Sequence, residues 1–173
     1  MVGAQGPPNC NASALKLLIA NSFPANVYKG QVMAVLHDPS VYECDADNLN
    51  VLLAGKDWKA LEQAYIDANP DDYVLMHPGA VQAFLAAWLS RAADDLDGSN
   101  YVRSSLLFHL NSVGALLQYE SGWARGLALL TSGQAQAIRV LIHCVAVTAS
   151  TKEDMQEARR VLAKLHKWFP EAS

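Results

Sequence analysis

From Ala135 to Val147 the only clearly polar side chains are Gln136, Arg139 and His143, spaced three and four residues apart. On a helix that spacing leaves one narrow wet stripe, so the rest of the cylinder has to be covered by other elements. A chain holding such a segment is driven toward a bundle, with this helix expected at its centre. Its start is equally legible: Thr131 and Gln134 have capping-box spacing, in which the hydroxyl accepts from the backbone three residues on while the amide reaches back.

The segments that could cover it carry helical periodicity of their own. In Pro78 to Ala93, Val81, Phe84, Leu85, Trp88 and Leu89 fall at i, i+3, i+4, i+7 and i+8, one continuous stripe. Pro78 suits the first turn, where no N–H is needed and φ is already helical. Val102, Leu106, Leu110, Val113 and Leu117 repeat at three to four, giving a long helix from Ser99 as cap, with Gly114 as its expected break. Asp57 is placed to cap a shorter helix with Trp58, Leu61 and Tyr65 inward and Asn69-Pro70 at its end. Leu49, Leu52 and Leu53 are in helical register just before Gly55. A last helix opens at Ser150-Thr151, where Ser150 to Glu153 reads as a box, buries Met155, Ala158, Leu162, Leu165 and Phe169, and ends at Pro170.

Only Gln31 to His37 alternates well enough to suggest even a short strand. There is no internal repeat and no linker, so the expected fold is all-α, a single irregular bundle of six or seven helices. With 51% apolar residues the chain can build a substantial core. Residues 1–11, rich in Gly, Pro and Asn, are read as a disordered N-terminus, and 12–173 as the helical domain. No apolar run approaches the length of a signal-peptide core or a membrane span. Cys10, Cys44 and Cys144 are odd in number and without a short spacing, which reads as reduced thiols, no disulfide framework and a cytoplasmic location. Cys144 on an apolar face is expected to be an inert buried thiol.

Charge is segregated along the chain. Residues 38 to 97 hold twelve of seventeen carboxylates against Lys56, Lys59 and Arg91, a net charge of −9, whereas the whole chain carries −4. Such a block attracts a basic partner or a cation and disfavours nucleic acid.

Specific chemistry is harder to find. Asp95-Leu96-Asp97-Gly98-Ser99-Asn100 resembles the start of a calcium loop, but position six is Asn100 and position twelve is Leu106, where glycine and a bidentate Glu are needed. His143 and Cys144 are adjacent on a helix and point about 100° apart, so they cannot share an ion unaided. No zinc spacing, phosphate loop or dinucleotide fingerprint is present, and no cofactor is expected. Cys44 with His37, or Ser104 and Ser105 with His109, could be assembled for nucleophilic chemistry, yet no strained elbow presents a nucleophile. Trp58, Trp88 and Trp168 lie on core stripes. Trp123, in Tyr119-Glu-Ser-Gly-Trp123-Ala-Arg125-Gly, is either a loop anchor or an exposed contact.

Gly55-Lys56-Asp57-Trp58-Lys59-Ala60-Leu61, the run from Met76 through Pro78, Ala80, Phe84 and Leu85, and the run Leu130-Thr131-Ser132-Gly133-Gln134-Ala135-Gln136-Ala137-Ile138 give, in order, a G-K-x-W-x-x-L turn and the helix starts P-x-A-x-x-x-F-L and L-T-x-x-Q-x-x-A. In these motifs, over residues 38–147, the chain resembles an uncharacterised family of small bacterial all-helical proteins. The resemblance implies a bacterial origin and a helical fold and carries over no catalytic residue.

Together these readings lead to a non-enzymatic protein-binding protein, an immunity protein or antitoxin that neutralises a basic toxin domain. Its partner-binding residues would be Asp45, Asp47, Asp71, Asp72, Asp94, Asp95, Asp97 and Trp123. The alternative is a small helical hydrolase or transferase with a divalent cation held by Asp94, Asp95 and Asp97. Self-association into a homodimer stays open.

Overall fold

The computed structural model describes residues 10–32, 49–98, 101–116 and 122–169. The fold is all-α, and no strand occurs among the described residues. In chain order its helices are α1 (Ala12–Ser22), α2 (Gln63–Ala68), α3 (Pro78–Ala93), α4 (Tyr101–Leu116), α5 (Gly122–Ala128), α6 (Ser132–Thr148) and α7 (Lys152–Trp168). Residues 49–53 are also helical, and 3-10 turns occupy Trp58–Ala60 and Asp72–Leu75. The short alternating stretch expected from Gln31 to His37 lies mostly outside the described residues. At its near end the Val32 carbonyl accepts from His77 N at 2.7 Å.

Helix α3 is the hub. It packs against α1, α2, α4, α5, α6 and both 3-10 turns, while α6, the expected centre, is covered by α1, α3 and α7. The reason lies in residues that periodicity underweights. Beside the large stripe of Val81, Phe84, Leu85, Trp88 and Leu89, the alanines at 80, 86, 87, 92 and 93 are buried too. Small side chains let neighbouring helices approach on several sides at once. A close approach is made by α5, where a Cβ added to Gly126 would lie 2.5 Å from Val81 Cβ.

Local signals set most of the boundaries. Asn11 Oδ1 accepts from Ala14 N at 2.8 Å and opens α1. Pro78 is at the start of α3, with His77 as its N-cap. The Thr131–Gln134 box is present in both directions at the start of α6. Three expectations are corrected. Asp57 caps only a 3-10 turn, accepting from Lys59 N at 2.8 Å; Leu61 is then extended and a separate helix begins at Gln63. Gly114 lies inside α4 and does not break it. The cap of α7 is Thr151, one residue beyond the expected Ser150, with Asp154 N donating to its hydroxyl at 3.1 Å.

The cysteine reading is also overturned. Cys10 and Cys144 form a disulfide, with Cα atoms 5.2 Å apart, so Cys144 is no free thiol. The two are 134 residues apart in sequence, and only the packing of α1 on α6 brings them together. Cys10 and Asn11 thereby belong to the folded unit, and the expected disordered segment 1–11 loses its last two residues to it. Cys44 lies outside the described residues. The cytoplasmic expectation loses the support it drew from unpaired thiols; what stands is that no helix among the described residues is long and apolar enough to cross a membrane.

Two stability predictions follow from this packing. Gly126→Ala should lower the unfolding free energy by about 1–3 kcal/mol, because neither backbone of the α3–α5 crossing can yield without strain. Cys10→Ser should cost about 2–5 kcal/mol through the larger unfolded ensemble. Denaturant titration of each variant beside the parent reads both, and a change below 0.5 kcal/mol, roughly the size of a neutral surface substitution, would refute either.

Candidate functional site

The described part of the acidic block does not form one continuous surface. Asp94 pairs with Lys16, Nζ to Oδ2 2.6 Å, across the α1–α3 junction. Asp95 is fully buried, so it is removed from the set of surface contacts. Asp97 is exposed, and its backbone carbonyl accepts from Ser150 Oγ at 2.7 Å. The three carboxylates of the expected cation site therefore face a lysine, the interior and solvent. Among the described residues no group of three or more His, Cys, Asp and Glu side chains could hold a metal. Asp45 and Asp47 lie outside the described residues.

What remains centres on Asp71, at the start of the second 3-10 turn, where the chain reverses between α2 and α3. Its side chain is 61% exposed. Ser105 on α4 donates to its carboxylate, and His109, one turn further along α4, places Nε2 3.3 Å from the same oxygen. Residues four apart on a helix share a face, so α4 presents both donors to a single acceptor. Ser105 Oγ also lies 3.0 Å from the Pro70 carbonyl and 2.8 Å from the Tyr73 hydroxyl. A serine has one proton to give. With acceptor-only neighbours in Asp71 and Pro70, Tyr73 is the donor to Ser105, and the chain of bonds runs Tyr73 to Ser105 to Asp71. Burial raises the Tyr73 pKa and keeps that proton in place. Next door, Asp72 accepts from the Tyr65 hydroxyl, so this carboxylate too is held in one orientation.

Sequence reading offered Ser105 and His109 as a nucleophile and base, and the structure does bring an Asp to them. The order is wrong for that chemistry. In a Ser-His-Asp triad the imidazole stands between the other two and removes the serine proton. Here the carboxylate stands between, which makes Asp71 the hub of a surface network and leaves His109 as one of its donors.

Trp123, a candidate contact residue, is corrected to a packing residue: it is 1% exposed and its ring centroid lies 4.8 Å from that of Tyr73. Its indole N–H points to the His109 carbonyl at 3.4 Å. The missed clue was Gly126, whose spacing from Gly122 reads as loop but serves the close helix crossing on α3. Beside this network an exposed aromatic that sequence reading passed over is Phe108, 63% exposed, with its ring 5.1 Å from His109 in an edge-on arrangement. The stripe of Val102, Leu106, Leu110 and Val113 leaves position 108 on the opposite face of α4, a signal of exposure that the sequence carried.

Burial lowers the His109 pKa, opposed by the charge and hydrogen bond of Asp71. The fold therefore favours neutral imidazole. The stability that this residue contributes is whole above the unfolded value of 6.5 and is lost as pH falls through its lower folded midpoint. NMR titration should place the His109 midpoint below 6.5 in the parent and lower still in Asp71→Asn, which deletes the opposing charge; an upward move in the variant would contradict this assignment.

No family model, no curated protein sequence and no solved structure matches the chain, so what it does has to be argued from these residues.

Proposed function

We propose that the protein is a non-enzymatic binding protein of the immunity-protein kind, which neutralises a basic bacterial toxin domain by docking its Asp71 face. The observation that carries this reading is an oriented yet exposed carboxylate beside an exposed ring: Asp71 held by Ser105 and His109, with Phe108 against His109. A carboxylate already fixed by two donors loses little freedom when a cation pairs with it. An aromatic side chain at the edge of such a site supplies the apolar contact around which binding energy concentrates. Asp72 adds a second held charge, and the net −9 of residues 38–97 supplies the long-range attraction that speeds encounter with a basic surface.

The Cys10–Cys144 bond supports an oxidising compartment for this role, since such bonds persist where the surroundings are oxidising. The proposed encounter is accordingly with a toxin that reaches such a compartment.

The test is a pull-down from the native host with tagged parent, Phe108→Ala and Asp71→Lys, each checked for parental melting behaviour. At about 50 mM salt the parent should retain one basic protein that is lost by about 500 mM, where the Debye length falls well below that of physiological salt. Both variants should lose it even at low salt. Equal retention by parent and variants would refute the reading.

A further inference from the structure

Between α1, the first 3-10 turn, α2 and α3 lies a cleft of about 360 Å³. That size falls near the lower end of small-molecule sites, which run from about 300 to 1,000 Å³. Its apolar lining comes from Trp58, Leu61, Ile66 and Ala87, and the Trp58 indole is fixed by a 2.9 Å bond from Nε1 to the Phe23 carbonyl.

The charges around it are unlike the segment they come from. Residues 38–97 contain only three cations, and two of them, Lys59 and Arg91, line this cleft. Lys16 joins them from α1, and Asp94 is the one carboxylate among the lining residues. In a stretch where carboxylates outnumber cations four to one, this convergence reverses the local sign.

The cations are also not equally occupied. Lys16 is paired with Asp94. Arg91 is 15% exposed and, among the described residues, is bound through Nε alone, 2.6 Å from Asp67 Oδ1, which orients the guanidinium plane and leaves its terminal amino groups for the cleft it lines. Lys59 Nζ stands 5.6 Å from the centroid of the Trp58 ring, above the apolar lining and with no carboxylate partner among the described residues. An oriented guanidinium is suited to a planar two-oxygen acceptor, and a flexible ammonium beside it adds a second, less directional charge.

We infer that this cleft binds a small amphipathic carboxylate, its carboxyl group between Arg91 and Lys59 and its hydrocarbon or aromatic body against Trp58, Leu61 and Ile66. The site is separate from the Asp71 face and does not depend on the proposed partner. Asp67 acts as a positioning residue here, since it holds the guanidinium without lining the cleft.

Isothermal titration of the full chain with 2-naphthoate and with octanoate, each beside its uncharged alcohol, tests the inference. At least one carboxylate should bind with a dissociation constant below about 1 mM and at least tenfold more tightly than its alcohol. Lys59→Gln, at an exposed position, should weaken it severalfold. Arg91→Lys, which keeps the charge and loses the fork, should weaken it at least tenfold with the melting temperature preserved. Trp58 Hε1 should shift in the NMR spectrum on addition of the ligand. Absence of binding by both carboxylates, equal binding of carboxylate and alcohol, or parental affinity in both variants would overturn the inference. Binding of 2-naphthyl phosphate as tight as that of 2-naphthoate would overturn the carboxylate assignment.

Discussion

Burial of α3 on several sides is the constraint on which the rest of the bundle depends. Every named element except α7 packs against it, and that is achieved by interleaving one large stripe with alanines. Where the large side chains project, the 3-10 turns and α4 fill space around them: Tyr73 meets Trp88 edge-on at 5.7 Å, and the Trp88 indole donates to the Asn69 carbonyl at 3.1 Å. Where residues are small, helix backbones come close, as at Val81 and Gly126. Both proposed sites are placed by this hub. The Asp71 turn is the connection that leads into α3, and the cleft lies along the C-terminal half of the same helix.

Helix-by-helix, much of this was written locally. The limits of α3 and the box opening α6 came from signals confined to a few residues, where hydrogen-bonding geometry leaves little choice. What escaped sequence reading depended on contacts between distant segments. An alanine gives the same pattern whether it faces solvent or a neighbouring helix, so the hub could not be told from α6. Cys10 and Cys144 are 134 residues apart, and their pairing is a property of how α1 lies on α6. Leu61 interrupts an otherwise helical run, and Trp58 in the turn before it is anchored to Phe23, 35 residues earlier. The carboxylates divided in the same way. Their number was plain in the sequence, but which would be exposed, paired or buried depended on where Lys16, Ser105 and His109 arrived.

The electrostatics of the described residues 49–97 are therefore better described as two surfaces of opposite sign than as one acidic patch. On the α4 side the carboxylates are held by neutral donors, which orient them without cancelling their charge. On the α1 side Lys16 joins Lys59 and Arg91, and the balance turns positive. A strong charge bias in sequence thus leaves room for a local site of the opposite sign, because the few countercharges gather where the fold brings separate segments together.

Arg103 shows a further consequence of such gathering. It is 2% exposed, its Nη2 lies 2.6 Å from Asp154 Oδ2 at the start of α7, and its Nη1 donates to the Leu96 carbonyl at 3.1 Å. Gly98, at φ +96, leaves the space the guanidinium occupies, where a Cβ would come within 2.3 Å of it. Ser150 bonds to Asp97 across the same gap. Two turns more than fifty residues apart are thus fastened at one charged centre, whose guanidinium is buried and whose carboxylate is 28% exposed. Neither can loosen without stranding a buried cation, so they form one cooperative opening unit, although the sequence between them spans three other helices.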